Sequence, residues 1–373
     1  MIRILTVIGA RPQFIKASAL SRMIRTEFGD RLQEIILHTG QHYDTNMSDI
    51  FFHELGIPEP HIRLNIKSDL QGEQSGLMIQ GIEQAILDEK PDLVLVYGDT
   101  NSTLAAAIAA TKLHLPLAHV EAGLRSYNKA MPEEINRIVA DHCATFLFAP
   151  TETALHNLKK EGFAPAQRPP ADADHPLVLQ SGDVMYDNAL YFKDHQSADL
   201  STMLKDMRDR EFVLLTLHRA ENTEDPGTLA EILETLDSIA KEEQFTVLFP
   251  VHPRTRKLIQ AWEINTGDSI VSCDPLSYFE MMQMERHALM IFTDSGGVQK
   301  EACFHRKKCL VLRNETEWTE LADHGMLEVA GVSEASIRNH YEMLKSRFIS
   351  DFPLPYGNGD AARKICCSLI EYL

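Results

Sequence analysis

LVLVYGDTNSTLAAAIAATKLHLPLAHV, residues 93–120, contains the pattern that decides the fold. The apolar runs Leu93–Tyr97 and Leu117–Val120 are predicted to be buried strands, and the alanine-rich segment Ser102–Leu113 is predicted to be a helix. A strand, a helix and a second strand in this order are typical of a βαβ unit with parallel strands. The segment therefore predicts a parallel sheet covered by helices.

The same alternation extends along the chain in both directions. Further strands are predicted at Ile2–Ile8, Glu34–His38, Phe146–Ala149, Phe212–Leu217, Thr246–Pro250, Ile270–Ser272, Met290–Thr293 and Cys309–Leu312, and further helices at Ala17–Arg25, Glu73–Leu87 and Gly359–Leu373. Residues 162–180 interrupt the pattern with four prolines and predict a linker or insertion. We expect two similar α/β domains with a cleft between them, residues 1–175 joined by the helix 359–373, and residues 176–358.

Composition limits the possible partners. The chain has 373 residues, with 36 Lys and Arg against 54 Asp and Glu, giving a net charge of −18. This charge disfavours binding to nucleic acid or to anionic membranes. The six cysteines are too sparse for a disulfide scaffold, and no apolar run approaches the length of a membrane span. We therefore expect a cytoplasmic protein.

Charged and polar residues follow the predicted strands of the first half, where open α/β sheets bind ligands. Arg11 and Lys16 bring positive charge to a helix start, which favours an anion site, although a solvated basic turn is the alternative. Gln41 and His42 follow the next strand. Asp99 follows a third, where it could equally cap the next helix or take part in catalysis.

Acidic residues also follow the strand Leu117–Val120. Glu121 comes directly after it, and a buried carboxyl there would suit general acid–base chemistry. Glu133 and Glu134 begin a predicted helix. Their alternative interpretation is a solvated first turn, in which acids interact favourably with the helix dipole.

The second half carries cations and a glycine-containing turn. Ser295-Gly296-Gly297 opens a helix, where unobstructed N–H groups suit a diphosphate. His218, His252 and Arg313 follow other strands of the same domain. The histidines lack metal-ligand spacing, so no metal site is expected. One domain thus carries carboxylates and the other carries cations and a phosphate-binding turn, which suits a nucleotide diphosphate ligand whose reacting group lies against acids and bases.

At these positions the chain resembles the non-hydrolysing UDP-N-acetylglucosamine 2-epimerases over essentially its whole length. The matching motifs are G-A-R-P-Q at 9–13, Lys16, G-Q-H at 40–42, G-D-T at 98–100, H-V-E-A-G-L-R at 119–125, P-E-E-x-N-R at 132–137, G-D-V-M-Y-D at 182–187, H-R-x-E-N at 218–222, V-H-P at 251–253 and D-S-G-G-x-Q-x-E at 294–301. So many motifs in the same order make the resemblance specific.

The resemblance implies an α/β fold of the GT-B type, with two Rossmann-like domains whose parallel sheets face a central cleft, and a homodimer. It also implies a reaction without redox cofactor or metal. UDP is eliminated from C1 of a UDP-2-acetamido sugar as a base removes the C2 proton. UDP then adds back to the 2-acetamidoglucal after reprotonation of the opposite face. Such an enzyme would supply precursors of surface polysaccharides.

The resemblance also implies roles for individual residues. Asp99, Glu121 and Glu133 are the acid–base candidates, with Lys16 and His218 supporting catalysis. The residues implied to hold UDP are Arg11, His252, Ser295, Gly296, Gly297 and Glu301. Candidates for contact with the sugar are Gln41, His42, Arg125, Arg137 and Arg313.

The sequence departs from the familiar bacterial members at three places. It has R-P-Q-F at 11–14 where they have R-P-E-A, and R-N-E-T-E-W-T-E at 313–320 where they have a T-E-R-P run. Near Tyr43-Asp44 and Ser68-Asp69 it lacks the Gln and Arg of their UDP-N-acetylglucosamine activator site. These features are similar to the branch that acts on UDP-2,3-diacetamido-2,3-dideoxyglucuronate, which is the alternative to UDP-N-acetylglucosamine as substrate.

Three other functions share parts of this pattern. A GT-B glycosyltransferase has the same fold and UDP site but needs an acceptor groove. A hydrolysing epimerase would release UDP and free sugar. A nucleotide-sugar sensor would bind without catalysis, and the number of acids and bases after the strands favours an enzyme instead.

Overall fold

The computed structural model describes residues 1–41, 55–68, 70–163, 169–193, 200–349 and 354–373. The chain divides into two compact units. Unit 1 comprises Met1–Tyr191 with Leu354–Leu373, and unit 2 comprises Phe192–Pro353. Each unit is built on a parallel sheet with helices, as the alternation of apolar runs predicts. None of the described helices has the length and apolar character needed to cross a membrane.

Unit 1 contains a seven-stranded sheet in the order β3-β2-β1-β4-β5-β6-β7. Its strands are β1 (Ile2–Ile8), β2 (Leu32–His38), β3 (Ile62–Arg63), β4 (Leu93–Tyr97), β5 (Leu117–Val120), β6 (Phe146–Ala149) and β7 (Leu177–Gln180). Its helices are α1 (Arg11–Met23), continued by a π-helical turn (Ile24–Phe28), then α2 (Gln71–Glu89), α3 (Asn101–Lys112), α4 (Pro132–Cys143), α5 (Glu152–Lys160) and α6 (Val184–Tyr191).

The centre of this sheet forms because its strands are apolar on both faces. Every residue of β4 is buried, as a parallel strand covered by helices on both faces requires. The alanines of α3 allow that helix to pack closely, and most of them are fully buried. Since β1 pairs with both β2 and β4, the strand order reverses beside β1. Ligands bind at such a switch point, beyond the carboxyl ends of the strands.

The proline-rich segment, residues 162–180, differs from what the sequence predicts. We expected residues 162–180 to form a linker and the first domain to end at residue 175. Instead, Leu177–Gln180 forms β7, which pairs in parallel with β6. Backbone pairing with a strand distant in sequence therefore adds a seventh strand, and unit 1 continues through α6 to Tyr191.

The C-terminal helix, α15 (Ala361–Tyr372), belongs to unit 1, as expected for residues 359–373. The Asp187 carboxylate in α6 accepts hydrogen bonds from the N–H groups of Ala361 and Ala362, at 3.2 and 2.8 Å. An acid from another helix thus accepts the N–H groups at the start of α15, which have no partner within that helix. The motif at 182–187 therefore attaches the returning chain to unit 1.

Unit 2 contains a six-stranded sheet in the order β10-β9-β8-β11-β12-β13. Its strands are β8 (Phe212–Thr216), β9 (Thr246–Pro250), β10 (Ile270–Cys273), β11 (Met290–Thr293), β12 (Lys308–Val311) and β13 (Leu327–Val329). Its helices are α7 (Thr202–Arg208), α8 (Ala220–Thr223), α9 (Pro226–Glu243), α10 (Pro253–Ala261), α11 (Tyr278–His287), α12 (Gly296–Phe304), α13 (Thr319–Asp323) and α14 (Glu334–Ser346). Apolar side chains of β8, β9 and α9 form its core.

The strand order of unit 2 reverses beside β8, which pairs with both β9 and β11. The turns after β8 and β11 therefore lie next to each other at the switch point. These turns carry His218 and Asp294, so topology alone brings the two side chains together.

Candidate functional site

A buried ion pair lies at the switch point of unit 1. Lys16 on α1 places its Nζ 2.5 Å from Oε1 of Glu121, the residue that follows β5. Both residues are buried. Glu121 has φ +73°, in the left-handed region that costs a non-glycine residue about 1–3 kcal/mol. Such strain is often found at functional sites. Here the strained residue is the one whose carboxylate contacts Lys16.

Gln13 fixes the turn between β1 and α1. Its side-chain oxygen accepts the N–H of Gly9 at 2.8 Å, and its amide nitrogen donates to the carbonyl of Tyr97 at 3.0 Å. A glutamate, which the familiar members have here, accepts but does not donate when ionised. The glutamine therefore links the ends of β1 and β4. The sequence analysis places Gln13 in the motif at 9–13 and in the divergent run at 11–14, but assigns it no role.

Asp99 does not cap the helix that follows it. Thr100 is the N-cap of α3 and accepts the N–H of Thr103. The Asp99 carboxylate instead pairs with the guanidinium of Arg137, and about 30% of its side chain is exposed. Its backbone carbonyl accepts from Asn136 at 2.9 Å. Asp99 is therefore both held in place and accessible, which a reacting carboxylate requires.

Of the two glutamates at the start of α4, Glu134 is buried and Glu133 is not. Glu133 is exposed, whereas Glu134 accepts the N–H groups of Ser126 and Tyr127, each at 2.9 Å. It also accepts from Arg137 at 2.6 Å, so Arg137 bridges Glu134 and Asp99. Burial raises the pKa of Glu134, but hydrogen bonds from the Ser126 N–H and from Arg137 outweigh it, so the pKa lies below its usual value.

Arg125 is committed to the fold. Its Nη1 donates to Asp141 at 2.7 Å, and its Nε and Nη2 donate to both oxygens of Glu161 at 2.7 and 2.6 Å. Burial lowers the pKa of Arg125, but these two carboxylates outweigh it and raise the pKa above its usual value. With its side chain 1% exposed, Arg125 is a poor candidate for contact with a sugar.

Two further candidates of unit 1, Arg11 and Gln41, lie at the same edge of the sheet. Arg11 is the first residue of α1 and is half-buried. Gln41 accepts from the Ser102 hydroxyl at 2.8 Å, next to the start of α3. His42 lies outside the described residues, as do Tyr43, Asp44 and Asp69, so the structure describes only Ser68 of the expected activator positions.

Unit 2 presents a histidine held by a buried aspartate. Nδ1 of His218 lies 3.0 Å from Oδ1 of Asp294, and the other oxygen of Asp294 accepts the N–H groups of His218 and Arg219, each at 2.9 Å. Burial raises the pKa of Asp294, but His218 and these N–H groups outweigh it and lower the pKa. Because Nδ1 faces the carboxylate and nearly half of the imidazole is exposed, Nε2 is the nitrogen left to face a ligand.

The Ser295-Gly296-Gly297 turn begins α12 directly after Asp294. A Cβ on Gly296 would lie 2.2 Å from Oε1 of Glu317, so a larger residue would displace that side chain, whereas a Cβ on Gly297 would meet nothing closer than 4.0 Å. Arg313 holds Glu317 at 3.0 Å, and the Trp318 indole donates to the Gly296 carbonyl at 2.9 Å. The divergent segment 313–320 therefore supports the turn predicted to bind diphosphate.

His252 and Glu301 complete the predicted set in unit 2. His252 is the N-cap of α10, where its Nδ1 accepts the N–H of Arg254 at 3.3 Å. That contact fixes the imidazole at the start of α10. Glu301 lies in α12, one turn beyond the glycines, and is half-buried.

Sequence reasoning missed the buried partners that hold these residues. Glu134, Arg137 and Asp141 are spaced i, i+3 and i+7 on α4, a signal that places all three on one helix face. Asp294 was visible within its motif but had no assigned role. Glu161, by contrast, lies 36 residues from Arg125, and no local pattern links them.

Comparison with known proteins covers the whole chain. A family model described as UDP-N-acetylglucosamine 2-epimerase matches residues 26–370. The chain is 46% identical over 371 residues to a UDP-2,3-diacetamido-2,3-dideoxy-D-glucuronate 2-epimerase of Pseudomonas aeruginosa, covering 100% of this chain and 99% of that protein. It is 43% identical over 370 residues to a UDP-N-acetylglucosamine 2-epimerase homolog of Methanococcus maripaludis, covering 97% and 98%.

Solved structures resemble the chain equally completely. The crystal structure of the Methanocaldococcus jannaschii UDP-GlcNAc 2-epimerase in complex with UDP-GlcNAc and UDP matches with a TM-score of 0.86 and 36% identity, covering 99% of each chain. The α/β fold of the GT-B type, expected from the motifs, is thereby confirmed.

Proposed function

We infer the function of this chain from one premise: it belongs to the UDP-N-acetylglucosamine 2-epimerase family. The chain is accordingly an isomerase that inverts C2 of a UDP-2-acetamido sugar. We propose that its own substrate is UDP-2,3-diacetamido-2,3-dideoxyglucuronate and that the carboxylates of unit 1 perform the proton transfers. Full-length identity of 46% to an enzyme named for that sugar carries the substrate proposal.

The reaction breaks two bonds of the substrate and then forms them again. A base removes the C2 proton, the electrons of the C2–H bond form the C1–C2 double bond, and the C1–O electrons leave with UDP. A proton then adds to the opposite face of C2, and UDP adds back to C1. Because the C2 proton is not next to a carbonyl, it is only weakly acidic. The reaction therefore needs positioned acids and bases and stabilisation of the leaving diphosphate.

The acid–base groups of unit 1 support this chemistry. Asp99 is partly exposed and held by Arg137, so it can reach a sugar without losing its orientation. Glu121 and Lys16 form a hydrogen-bonded ion pair at the same edge of the sheet. Glu134 replaces Glu133 in our proposal as the residue that positions Asp99, because it is bonded to the same Arg137 and only 1% of its side chain is exposed. Asp99 and Glu121, with Lys16 beside Glu121, provide for proton removal and for proton return.

The cations and N–H groups of unit 2 support UDP binding. The Ser295–Gly297 turn exposes backbone N–H groups at the start of α12, where the helix dipole favours a diphosphate. His218, with Nδ1 against Asp294, offers Nε2 to the leaving group. His252 contributes an imidazole at the start of α10, and Glu301 can accept hydrogen bonds from ribose hydroxyls.

A uronate substrate also needs a cation for its carboxylate. Arg125 is held by Asp141 and Glu161 on two sides. Arg137 and Arg313 are the candidates that remain, and each is itself buried and paired, Arg137 with Asp99 and Glu134 and Arg313 with Glu317, so a substrate carboxylate would have to join or replace these partners. Arg137 adjoins Asp99, whereas Arg313 supports the Gly296 turn through Glu317. Lysine variants of the two residues identify which one binds the carboxylate. The variant at that residue should raise KM for the uronate more than KM for UDP-N-acetylglucosamine.

Side-by-side kinetics with the two sugars test the substrate proposal. We expect kcat/KM for the diacetamido-uronate to exceed that for UDP-N-acetylglucosamine by about 10- to 150-fold, because its carboxylate adds a charge-assisted hydrogen bond worth about 1.5–3 kcal/mol that the other sugar cannot make. Preference for UDP-N-acetylglucosamine would contradict it. Accumulation of free sugar and UDP would indicate hydrolysis, and turnover only with an added acceptor would indicate a glycosyltransferase.

We further propose a cytoplasmic homodimer that supplies precursors of surface polysaccharides. All six cysteines are unpaired, which suits a reducing compartment. Leu70 and Leu77, one heptad apart at the start of α2, are 68% and 42% exposed and could be covered by a second copy. Light scattering tests the dimer, and a Leu77→Asp variant should be monomeric if this face forms the interface.

A further inference from the structure

His119 lies in β5 and is completely buried between two oxygen atoms. Its Nδ1 is 2.6 Å from Oδ1 of Asp141 on α4, and its Nε2 is 2.8 Å from the backbone carbonyl oxygen of Gly98, which follows β4. Both contacts are within hydrogen-bond distance. Neither the sequence motifs nor the proposed reaction assigns His119 a role.

Both neighbours of the imidazole can only accept hydrogen bonds. A backbone carbonyl has no proton to donate, and a neutral imidazole has one donor nitrogen and one acceptor nitrogen. A neutral ring would therefore place a nitrogen lone pair against an oxygen on one side, in the interior of the unit, where an unmatched polar group is unfavourable. Only the imidazolium, with a proton on each nitrogen, satisfies both contacts.

A protonated Asp141 could in principle donate to the ring instead, but its surroundings oppose protonation. Its other oxygen accepts the N–H of Gly123 at 3.0 Å and Nη1 of Arg125 at 2.7 Å. Two donors at that oxygen favour the ionised form of the Asp141 carboxyl whatever the state of His119. Glu161, Arg125, Asp141 and His119 thus form a chain of alternating charges that ends at the Gly98 carbonyl.

The Gly98 turn connects this chain to the reacting groups. Gly98 has φ +61°, and a Cβ there would lie 2.9 Å from Nζ of Lys16 and 3.3 Å from Oε1 of Glu121. The Lys16–Glu121 pair therefore packs against the Cα side of the glycine whose carbonyl His119 holds. Asp99 is the next residue, so a shift of this peptide would move its carboxylate as well.

We propose that His119 is a positioning residue, held as an imidazolium, which fixes the Gly98 carbonyl and thereby sets Asp99 and the Lys16–Glu121 pair in their reactive arrangement. The effect on turnover rests on the proposed function, whereas the protonation state does not. His119 does not touch the substrate. Its contribution acts through the turn and should appear in kcat rather than in KM.

Two substitutions separate the two contacts of the ring. His119→Asn keeps a donor near the position of Nδ1 and loses the contact with Gly98. His119→Gln places an amide donor near the position of Nε2 and can keep that contact. We expect His119→Asn to lower kcat about 100-fold, the scale of an ångström-sized displacement, with KM within about twofold. His119→Gln should recover about tenfold of that loss, and exposed His175→Asn should be unchanged.

A purely structural histidine would give a different result. Both variants would then have lower thermal midpoints but the same kcat as the unchanged protein, which would overturn the proposal. Nitrogen-15 NMR of the unchanged protein tests the protonation of the His119 ring without any variant. The ring signals are assigned through the backbone of Val120. Protons on both ring nitrogens at neutral pH are expected, and one bare nitrogen would overturn the proposal. If the unchanged protein does not epimerise either sugar, the proposed function fails while this spectrum still decides the protonation state.

Discussion

Nζ of Lys16 and Oε1 of Glu121 lie 2.5 Å apart, and both side chains are more than nine-tenths buried. Buried ion pairs contribute little net stability, because desolvation offsets most of the attraction. This pair lies beside Gly98 at the carboxyl ends of β1, β4 and β5, where α/β sheets bind ligands. Its position therefore supports the proposal that the pair takes part in chemistry at C2 of the sugar.

Glu121→Gln should lower kcat by about 10²–10⁴ while UDP binding is retained, because a positioned acid or base has about that effect. Asp99→Asn is the corresponding amide variant at Asp99, and we expect the same fall in kcat. Steady-state kinetics and calorimetry with UDP measure the two quantities. Glu83→Gln, on the exposed side of α2, is the matched control. Near-normal turnover in both amide variants would show that these carboxylates do not transfer the protons.

Glu134→Gln and Glu133→Gln should differ strongly. Glu134 is bonded to Arg137 and to two backbone N–H groups, so its amide would lose the ion pair and place an NH₂ group against donors. We expect its kcat to fall by at least about 100-fold. Glu133 is exposed, and its amide should lose much less activity. Equal or reversed losses would restore Glu133 as the acid–base candidate.

Arg11→Ala should weaken UDP binding itself. Removal of a charge-assisted hydrogen bond costs about 1.5–3 kcal/mol, which corresponds to about a 10- to 150-fold rise in Kd. Titration calorimetry with UDP measures this directly, and Arg31→Ala, an exposed arginine of the same unit, is the control. An unchanged Kd would remove Arg11 from the UDP site.

Asp187 should make stability depend on pH. Burial raises its pKa to about 6, although the N–H groups of Ala362 and Ala361 oppose the shift. The folded protein keeps this proton up to about pH 6, while the unfolded chain releases it near 3.8. The free energy of unfolding should therefore fall as the pH rises through that window, by up to about 3 kcal/mol.

Asp187→Asn does not titrate and should lack this loss. Thermal midpoints of both proteins, measured from about pH 4.5 to pH 7.5, should converge or cross as the unchanged protein loses stability relative to the variant. Parallel profiles would show that Asp187 has a similar pKa in the folded and unfolded states.

The fold could be predicted where local pattern sufficed. The spans Leu93–Tyr97, Leu117–Val120 and Phe146–Ala149 are strands at the predicted residues, because each is a short apolar run whose ends are marked by a change in pattern. β7 was missed because four prolines come shortly before it in the sequence. Its pairing with β6 depends on residues outside the local segment. Non-local pairing overrode a local signal that favoured a linker.

The candidate site was predictable in position but not in its internal contacts. Strand ends located Asp99, Glu121 and His218, since topology alone places such residues at a switch point. The partners that hold them depend on tertiary packing, as Asp141 with His119 and Asp294 with His218 illustrate. Sequence motifs therefore indicate the reaction, and packing indicates which residues are free to perform it.

The most direct test of the central claim follows the hydrogen at C2 by NMR. The unchanged protein is incubated in D₂O with UDP-2,3-diacetamido-2,3-dideoxyglucuronate, and in parallel with UDP-N-acetylglucosamine. We expect deuterium to enter C2 of the epimerised uronate, because solvent reprotonates the glycal, and to enter much more slowly with UDP-N-acetylglucosamine. Inversion with full retention of the C2 proton, or no reaction at C2, would contradict the account.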